Sequence, residues 1–171
     1  MNATTAPVTV THDTPIGALT LSASDAGLTR CTFRTVAETR VDASSTASGW
    51  LDQARRELDR YFAGDLRTFT VPVDLRRVGG LHRRVLGALG QIGYGQTITY
   101  GTLAAMVGLT DDGPREVGGA MARNPILIIV PCHRILGAGG NLTGYAGGLP
   151  AKQWLLHLER HHQAPQLDLK W

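Results

Sequence analysis

The sequence predicts an α+β protein in two parts: a small antiparallel sheet with one helix, then a mostly helical unit. Apolar residues alternate over residues 8–33, which is strand spacing, and change to three- and four-residue steps after about Ser48, which is helical spacing. The sign of the charge reverses at Arg76-Arg77-Val78-Gly79-Gly80. That stretch reads as a linker, so the units are placed at 1–79 and 80–171.

Val8-Thr9-Val10 and Ile16 to Leu21 form a hairpin about the turn signal Asp13-Thr14-Pro15. Leu28 to Phe33 follows Ala26-Gly27 as a third strand, and the small polar residues 35–47 predict a surface loop. Leu51, Ala54, Leu58 and Tyr61/Phe62 share one helical face, and Gly64 is placed to end that helix. Phe69, Val71 and Val73 alternate as a short strand.

In the second unit Leu81, Val85, Leu89 and Ile92 share a face, and Tyr94 to Thr97 form a turn. A short helix over Thr102 to Val107 ends in Gly108 to Gly113, and Pro114 suits the first position of another running to about Arg123. Two short helices about a glycine-containing turn have the shape of a helix-turn-helix. Asn124-Pro125 stops the second, because a residue before proline avoids the helical region. The continuous run Ile126 to Val130 predicts a buried segment, residues 135–149 hold six glycines in a loop, and Pro150 opens a last helix with Trp154, Leu155 and Leu158 inward.

Composition narrows the function. With 171 residues and 43% hydrophobic content, disorder of the whole chain is excluded. The run Ile126 to Val130 is only five residues long, far from the roughly 20 needed to span a bilayer, so no membrane role is expected. Met1 to Thr5 carry neither a basic leader nor an apolar core, which predicts no secretory signal. Two cysteines, Cys31 and Cys132, make no disulfide framework, and a reducing cytoplasm is expected. Residues 1–75 carry net charge −2 and residues 76–134 carry +4, with seven Arg and three acidic residues. A positive middle attracts polyanions, nucleic acid foremost, although an Arg-rich surface also follows from genome composition alone.

Cys132 stands where the buried run meets the glycine loop, with His133 and Arg134 next to it and Glu159 on the following helix. A thiol reacts as thiolate, and a histidine oriented by a carboxylate is the usual activating device. The competing reading is a small core cysteine beside an incidental histidine. The cysteines and histidines show no recurrent ligand spacing, so no metal site is expected. Arg115 begins the second helix of the pair, facing DNA on one reading and pairing with Asp111, Asp112 or Glu116 on the other. Gly118 and Gly119 cost that helix about 1 kcal/mol each against alanine. Either another helix packs tightly on them or a nucleic-acid groove does.

Together these residues match a known pattern. Pro131-Cys132-His133-Arg134-Ile135 resembles the acceptor motif of the O6-alkylguanine-DNA alkyltransferases, the methylated-DNA–protein-cysteine methyltransferases. Tyr94 to Gly101 is similar to that family's entry into the helix-turn-helix, Arg115 to Met121 to its recognition helix, and Asn124-Pro125 to its hinge. Gly144 to Gly148 and Trp154 to Glu159 are similar to its pocket loop and final helix. The resemblance is strong over about 81–160 and rests before that on Thr14 to Gly17 and Leu58 to Gly64. It implies a ribonuclease-like N-terminal domain and a winged helix-turn-helix C-terminal domain.

The resemblance also implies residue roles. Cys132 would be nucleophile and permanent acceptor, with His133 relaying its proton through a water and held by Glu159. Asn124 would brace the turn. Tyr100 would press on the target phosphate and donate to the guanine ring, while Arg115 would fill the gap left by the rotated nucleotide. Gly118, Gly119, Ala120 and Arg123 would meet DNA. The carbonyls of Cys132 and Ile135 would take the guanine amine and the Ala146 N–H would face the guanine oxygen. Met121 and Tyr145 would line the pocket, which Gly147 would keep wide. The implied activity is a single irreversible transfer from O6-alkylguanine, and from O4-alkylthymine, in duplex DNA after base flipping. No cofactor would be needed, and the protein would act as a monomer, with cooperative binding on DNA left open.

Three positions depart from the family pattern: Leu81-His82 replaces a Phe-Gln pair, Gly93 replaces proline, and Ala146 stands where Ser or Gly is usual. Two other functions fit parts of the sequence. A cysteine hydrolase or acyltransferase would turn over repeatedly through Cys132 and His133. A non-catalytic DNA-binding module would keep its function without Cys132.

Overall fold

The computed structural model describes residues 7–39 and 45–163. Residues 1–6, the 40–44 part of the predicted loop and residues 164–171 lie outside the described residues.

The hairpin forms as expected. Strand β1 (Val8–His12) pairs antiparallel with β2 (Leu19–Ser24), which pairs with β3 (Gly27–Thr32). Helix α1 (Thr46–Phe62) lies on this sheet. Ser45 caps it by accepting the Ser48 N–H at 3.2 Å, satisfying one of the donors a helix start leaves free. Its buried stripe holds Leu51, Ala54, Leu58 and Tyr61, and Gly64 follows it at φ 83°.

The strand expected over Phe69 to Val73 is replaced by a single parallel bridge between Val73 and Leu28. The reason lies in α1. The Glu57 carboxylate accepts the N–H groups of Thr70 at 2.8 Å and Val71 at 3.1 Å, and also the Thr70 hydroxyl. Donors that a ladder would have used are spent on this carboxylate.

The linker is tied down at both ends. Arg76 reaches Asp74 and Asp25, and Arg83 reaches the carbonyls of Val78 and Arg76. Helix α2 (Gly80–Leu89) follows, then β4 (Ile98–Thr99), α3 (Tyr100–Met106) and α4 (Gly113–Ala122). Thr99 caps α3 through the Thr102 N–H. The helix pair α3 and α4 packs together, with α2 across it.

Ile126 to Val130 is not a strand. It is a turn in which Ile128 takes φ 71°, a conformation that costs a β-branched residue about 1–3 kcal/mol and persists only when its surroundings over-determine it. Residues 126, 127, 128 and 130 are buried as expected. A 3₁₀ turn over Cys132–Arg134 leads to β5 (Ile135–Leu136), which pairs in parallel with β4. Helix α5 (Leu149–Gln163) is the last element among the described residues, with Leu155 buried and Trp154 and Leu158 half-buried. The buried apolar residues of both halves form one continuous cluster. Among the described residues no helix is long and apolar enough to cross a membrane.

Candidate active site

The site is built from the turn between α4 and β5. Asn124, just past α4, is buried and used three ways. Its Nδ2 donates to the Val130 carbonyl at 3.0 Å and to Cys132 Sγ at 3.1 Å, and its Oδ1 accepts the Ile126 N–H at 3.0 Å. The other face of the turn is held by β3, where the Cys31 N–H donates to the Pro125 carbonyl and the Cys31 carbonyl accepts the Leu127 N–H, both at 2.8 Å. These bonds hold the strained Ile128 and present the sulfur.

Cys132 is 5% exposed. Burial pushes its thiol up to about 11, against the opposing pull of the Asn124 hydrogen bond and the Lys152 charge. At rest it is a thiol and needs a base. Cys31, wholly buried, is pushed by burial up to about 12.

Behind Cys132 lies a closed polar network. His133 Nε2 is 2.8 Å from Glu159 Oε1, and neither side chain is exposed. Arg134 forks onto the same carboxylate at 2.9 Å through both Nε and Nη2, and its Nη1 donates to the Ile92 carbonyl. The Gly95 N–H reaches Glu159 Oε2 at 3.0 Å. Gly95 has φ 73°, a backbone setting that suits glycine and turns its N–H inward. Burial pushes the Glu159 carboxyl up, but the His133 and Arg134 contacts outweigh it and hold it at about 2. Burial pushes His133 down, which the Glu159 contacts only partly oppose. The resting pair is therefore a carboxylate and a neutral imidazole. Nε2 carries the hydrogen toward Glu159, and Nδ1, buried and without a partner among the described residues, is the bare acceptor.

In front of Cys132 is a cavity of about 280 Å³, near the lower end of small-ligand sites. Its walls include Met121, Tyr145 and Ala146, expected around the base, Tyr100 and Gly118, expected against DNA, and Gly144 of the predicted pocket loop, together with Ala122, for which no such place was expected. Tyr100 Oη accepts from Thr143 Oγ1 at 3.1 Å, leaving the phenolic hydrogen free to donate.

Some expected residues sit elsewhere. Ala120 is 2% exposed and packs into the core, so its side chain does not face outward. Arg115 and Arg123 are exposed, and Gly118 and Gly119 are half-buried: a Cβ at Gly118 would lie 3.7 Å from the Tyr100 ring at the start of α3, and one at Gly119 3.9 Å from the Arg123 side chain. Ile135 is wholly buried; its carbonyl already holds Lys152 Nζ at 2.5 Å, and that of Cys132 holds the Ile135 N–H, leaving each one lone pair. Gly147 is not part of the cavity wall. A Cβ there would lie 2.7 Å from both Phe33 and Tyr145, so the glycine makes room for those rings. The Gly93 N–H donates to Gln96 Oε1, a bond that proline, lacking the donor, cannot make.

Three residues were missed. Lys152, wholly buried, links β5 to the glycine loop through the carbonyls of Ile135 and Thr143. Arg134 was placed only beside His133, and Tyr61 only on a core face, yet the Tyr61 hydroxyl donates to Glu159 at 2.8 Å. A lysine among the inward positions of α5 was the available signal for the first.

Residues 80–161 match the description "6-O-methylguanine DNA methyltransferase, DNA binding domain", and residues 8–75 match the "ribonuclease-like domain" of the same description. The chain belongs to the 6-O-methylguanine DNA methyltransferase family. It is 44% identical to the methylated-DNA–protein-cysteine methyltransferase of Mycolicibacterium paratuberculosis over 93% of this chain and 96% of that one. It is 39% identical to that of Methanosarcina acetivorans over 86% and 94%. Its fold matches the crystal structure of Mycobacterium tuberculosis O6-methylguanine methyltransferase with a TM-score of 0.78, at 40% identity over 94% and 96% of the two chains. A second structure, the M. tuberculosis enzyme in complex with DNA, matches at 0.76, with 42% identity over 89% and 92%. For this family member the α+β class stands, with the antiparallel sheet first and the mostly helical part second.

Proposed function

We propose that this chain repairs DNA by moving the alkyl group of O6-alkylguanine, and of O4-alkylthymine, in duplex DNA onto Cys132, once per molecule. The observation that carries the reading is the position of Cys132 between the cavity and the buried His133–Glu159 pair. In the same reading the units are 1–79 and 80–171, the working form is a monomer, and the compartment is the cytoplasm with access to the chromosome.

An alkyl group on guanine O6 lies inside the duplex, so the nucleotide is rotated out at a cost of a few kcal/mol. Arg115, exposed on α4, enters the stack and offsets part of this, and Arg123 meets the backbone. Gly118 and Gly119 let the helix approach the groove. The base enters the cavity beside Tyr100, Met121 and Tyr145. The Cys132 proton passes through a water to His133 Nδ1, and Glu159 steadies the imidazolium that forms. The sulfur attacks the alkyl carbon as the bond from that carbon to O6 breaks. The electron pair goes to the guanine, which the Tyr100 hydroxyl and the Ala146 N–H stabilise as charge develops. The product is a thioether, a poor leaving group, so the protein is consumed.

The test is stoichiometric. Duplex DNA in excess, carrying O6-methylguanine, should regain guanine in an amount equal to the protein and no more. Repeated turnover would favour the cysteine hydrolase or acyltransferase reading, and binding with no guanine regained would favour the non-catalytic module.

A further inference from the structure

Glu159 takes more hydrogen bonds than its contact with His133 requires. Its Oε1 accepts from His133 Nε2 at 2.8 Å, Arg134 Nη2 at 2.9 Å and Tyr61 Oη at 2.8 Å. Among these donors Tyr61 is the one that comes from the N-terminal half. It is wholly buried on α1, against the rings of Phe62, Phe69 and Tyr94 at centroid distances of 5.5, 5.2 and 6.0 Å. A phenylalanine would fill that space without the cost of burying a hydroxyl. The hydroxyl is instead aimed at the one carboxylate oxygen that also receives the histidine.

We propose that Tyr61 is a positioning residue for alkyl transfer, donating to Glu159 Oε1 so that less of that oxygen's charge falls on His133 and the imidazole stays a neutral base. This rests on the reading of His133 as the base for Cys132. Donors on one carboxylate oxygen share its charge. Without the Tyr61 hydroxyl, Oε1 pulls harder on the His133 hydrogen, the imidazolium is favoured, and Nδ1 is protonated when it is needed as an acceptor. Among the described residues, the other charged or titratable groups facing this cluster are Arg134, Lys152, Tyr94, Cys132 and Tyr145, whose ring lies edge-on to His133 at 6.4 Å, and Tyr61→Phe leaves all of them in place. Together with the β3 edge on the Asn124 turn, this contact places the N-terminal half on both flanks of the site.

The test uses the full chain, as wild type, Tyr61→Phe and Phe69→Leu. Single-turnover rates on duplex DNA carrying O6-methylguanine are measured from mildly acidic to mildly basic pH. Tyr61→Phe should still gain one methyl on Cys132 and keep its DNA affinity. Its acidic limb should move to higher pH by about one pH unit, with a rate about tenfold lower below the limb and convergence above it. Phe69→Leu loosens the packing around the Tyr61 ring, and should lower the thermal midpoint while leaving the limb in place. Superimposed profiles for wild type and Tyr61→Phe, an equal slowing at every pH, or an equal shift in Phe69→Leu would each overturn the proposal. A wild type that gains no methyl on Cys132 overturns the underlying reading instead, and shows this before any variant is compared.

Discussion

The Asn124 side-chain amide lies 3.1 Å from the Cys132 sulfur and 3.0 Å from the Val130 carbonyl, so one nitrogen both shapes the turn and holds the thiol. Asn124→Ala removes these bonds and leaves the Ile126 N–H and the Val130 carbonyl short of partners. We expect a loss of about 2–4 kcal/mol in denaturant unfolding, since each unsatisfied buried group costs about 1–3 kcal/mol. The Cys132 thiol should also titrate above its present value of about 11, because the amide bond opposes the effect of burial. Thiolate absorbance against pH, with Cys31→Ala as background, measures this. An unchanged titration would mean that the amide only holds the turn.

Glu159 makes stability depend on acid. Its folded carboxyl is held at about 2, below its unfolded value, so its contribution is fully present above the ordinary carboxylate range and is lost as pH falls toward 2. Wild type should therefore lose stability between roughly pH 5 and 2 more steeply than Glu159→Gln, although the variant is the less stable of the two at neutral pH. Glu57 and Asp74, also held low, titrate in both proteins and cancel in the comparison. Parallel curves would show that Glu159 is not the buried anion described.

Arg115 is exposed, and in the proposed function it acts only where a stack must be opened. Arg115→Ala should slow repair in duplex DNA by about tenfold or more, the equivalent of at least 1.4 kcal/mol. Reaction with the free alkylated base should change little. Equal slowing with both substrates would assign the residue another task.

Gly147 and Phe33 meet across the two halves. Gly147→Ala should destabilise the chain by about 1–3 kcal/mol, the usual cost of overpacking, because its Cβ would lie 2.7 Å from Phe33 and from Tyr145. Phe33→Ala should recover part of that loss in the double variant, read as a coupling energy in a double-mutant cycle. Additive losses would show that Phe33 is not the obstacle.

Much of this arrangement was legible in the sequence, and what was hidden has a common cause. The face of α1, the hairpin and the short helix pair follow from local periodicity and turn chemistry, which act within a few residues. The pairing of Cys132 with His133 was readable because they are chain neighbours, whereas a role for Asn124 came only with the resemblance to the family motif. The segment over Phe69 to Val73 failed as a strand because a carboxylate 13 residues earlier takes the Thr70 N–H. Tyr61 reads as a core aromatic, since its partner stands 98 residues away. Lys152 reads as one more polar side chain on a helix, and its role depends on carbonyls that the glycine loop folds over it.

The most direct test weighs the peptides that contain Cys132 and Cys31 after the protein has met duplex DNA carrying O6-methylguanine. The Cys132 peptide should gain the mass of one methyl group in place of a hydrogen, mole for mole with the lesions removed, while the buried Cys31 peptide stays unchanged. A Cys132 peptide of unaltered mass after the lesion has gone, or a methyl group found on Cys31, would contradict the account.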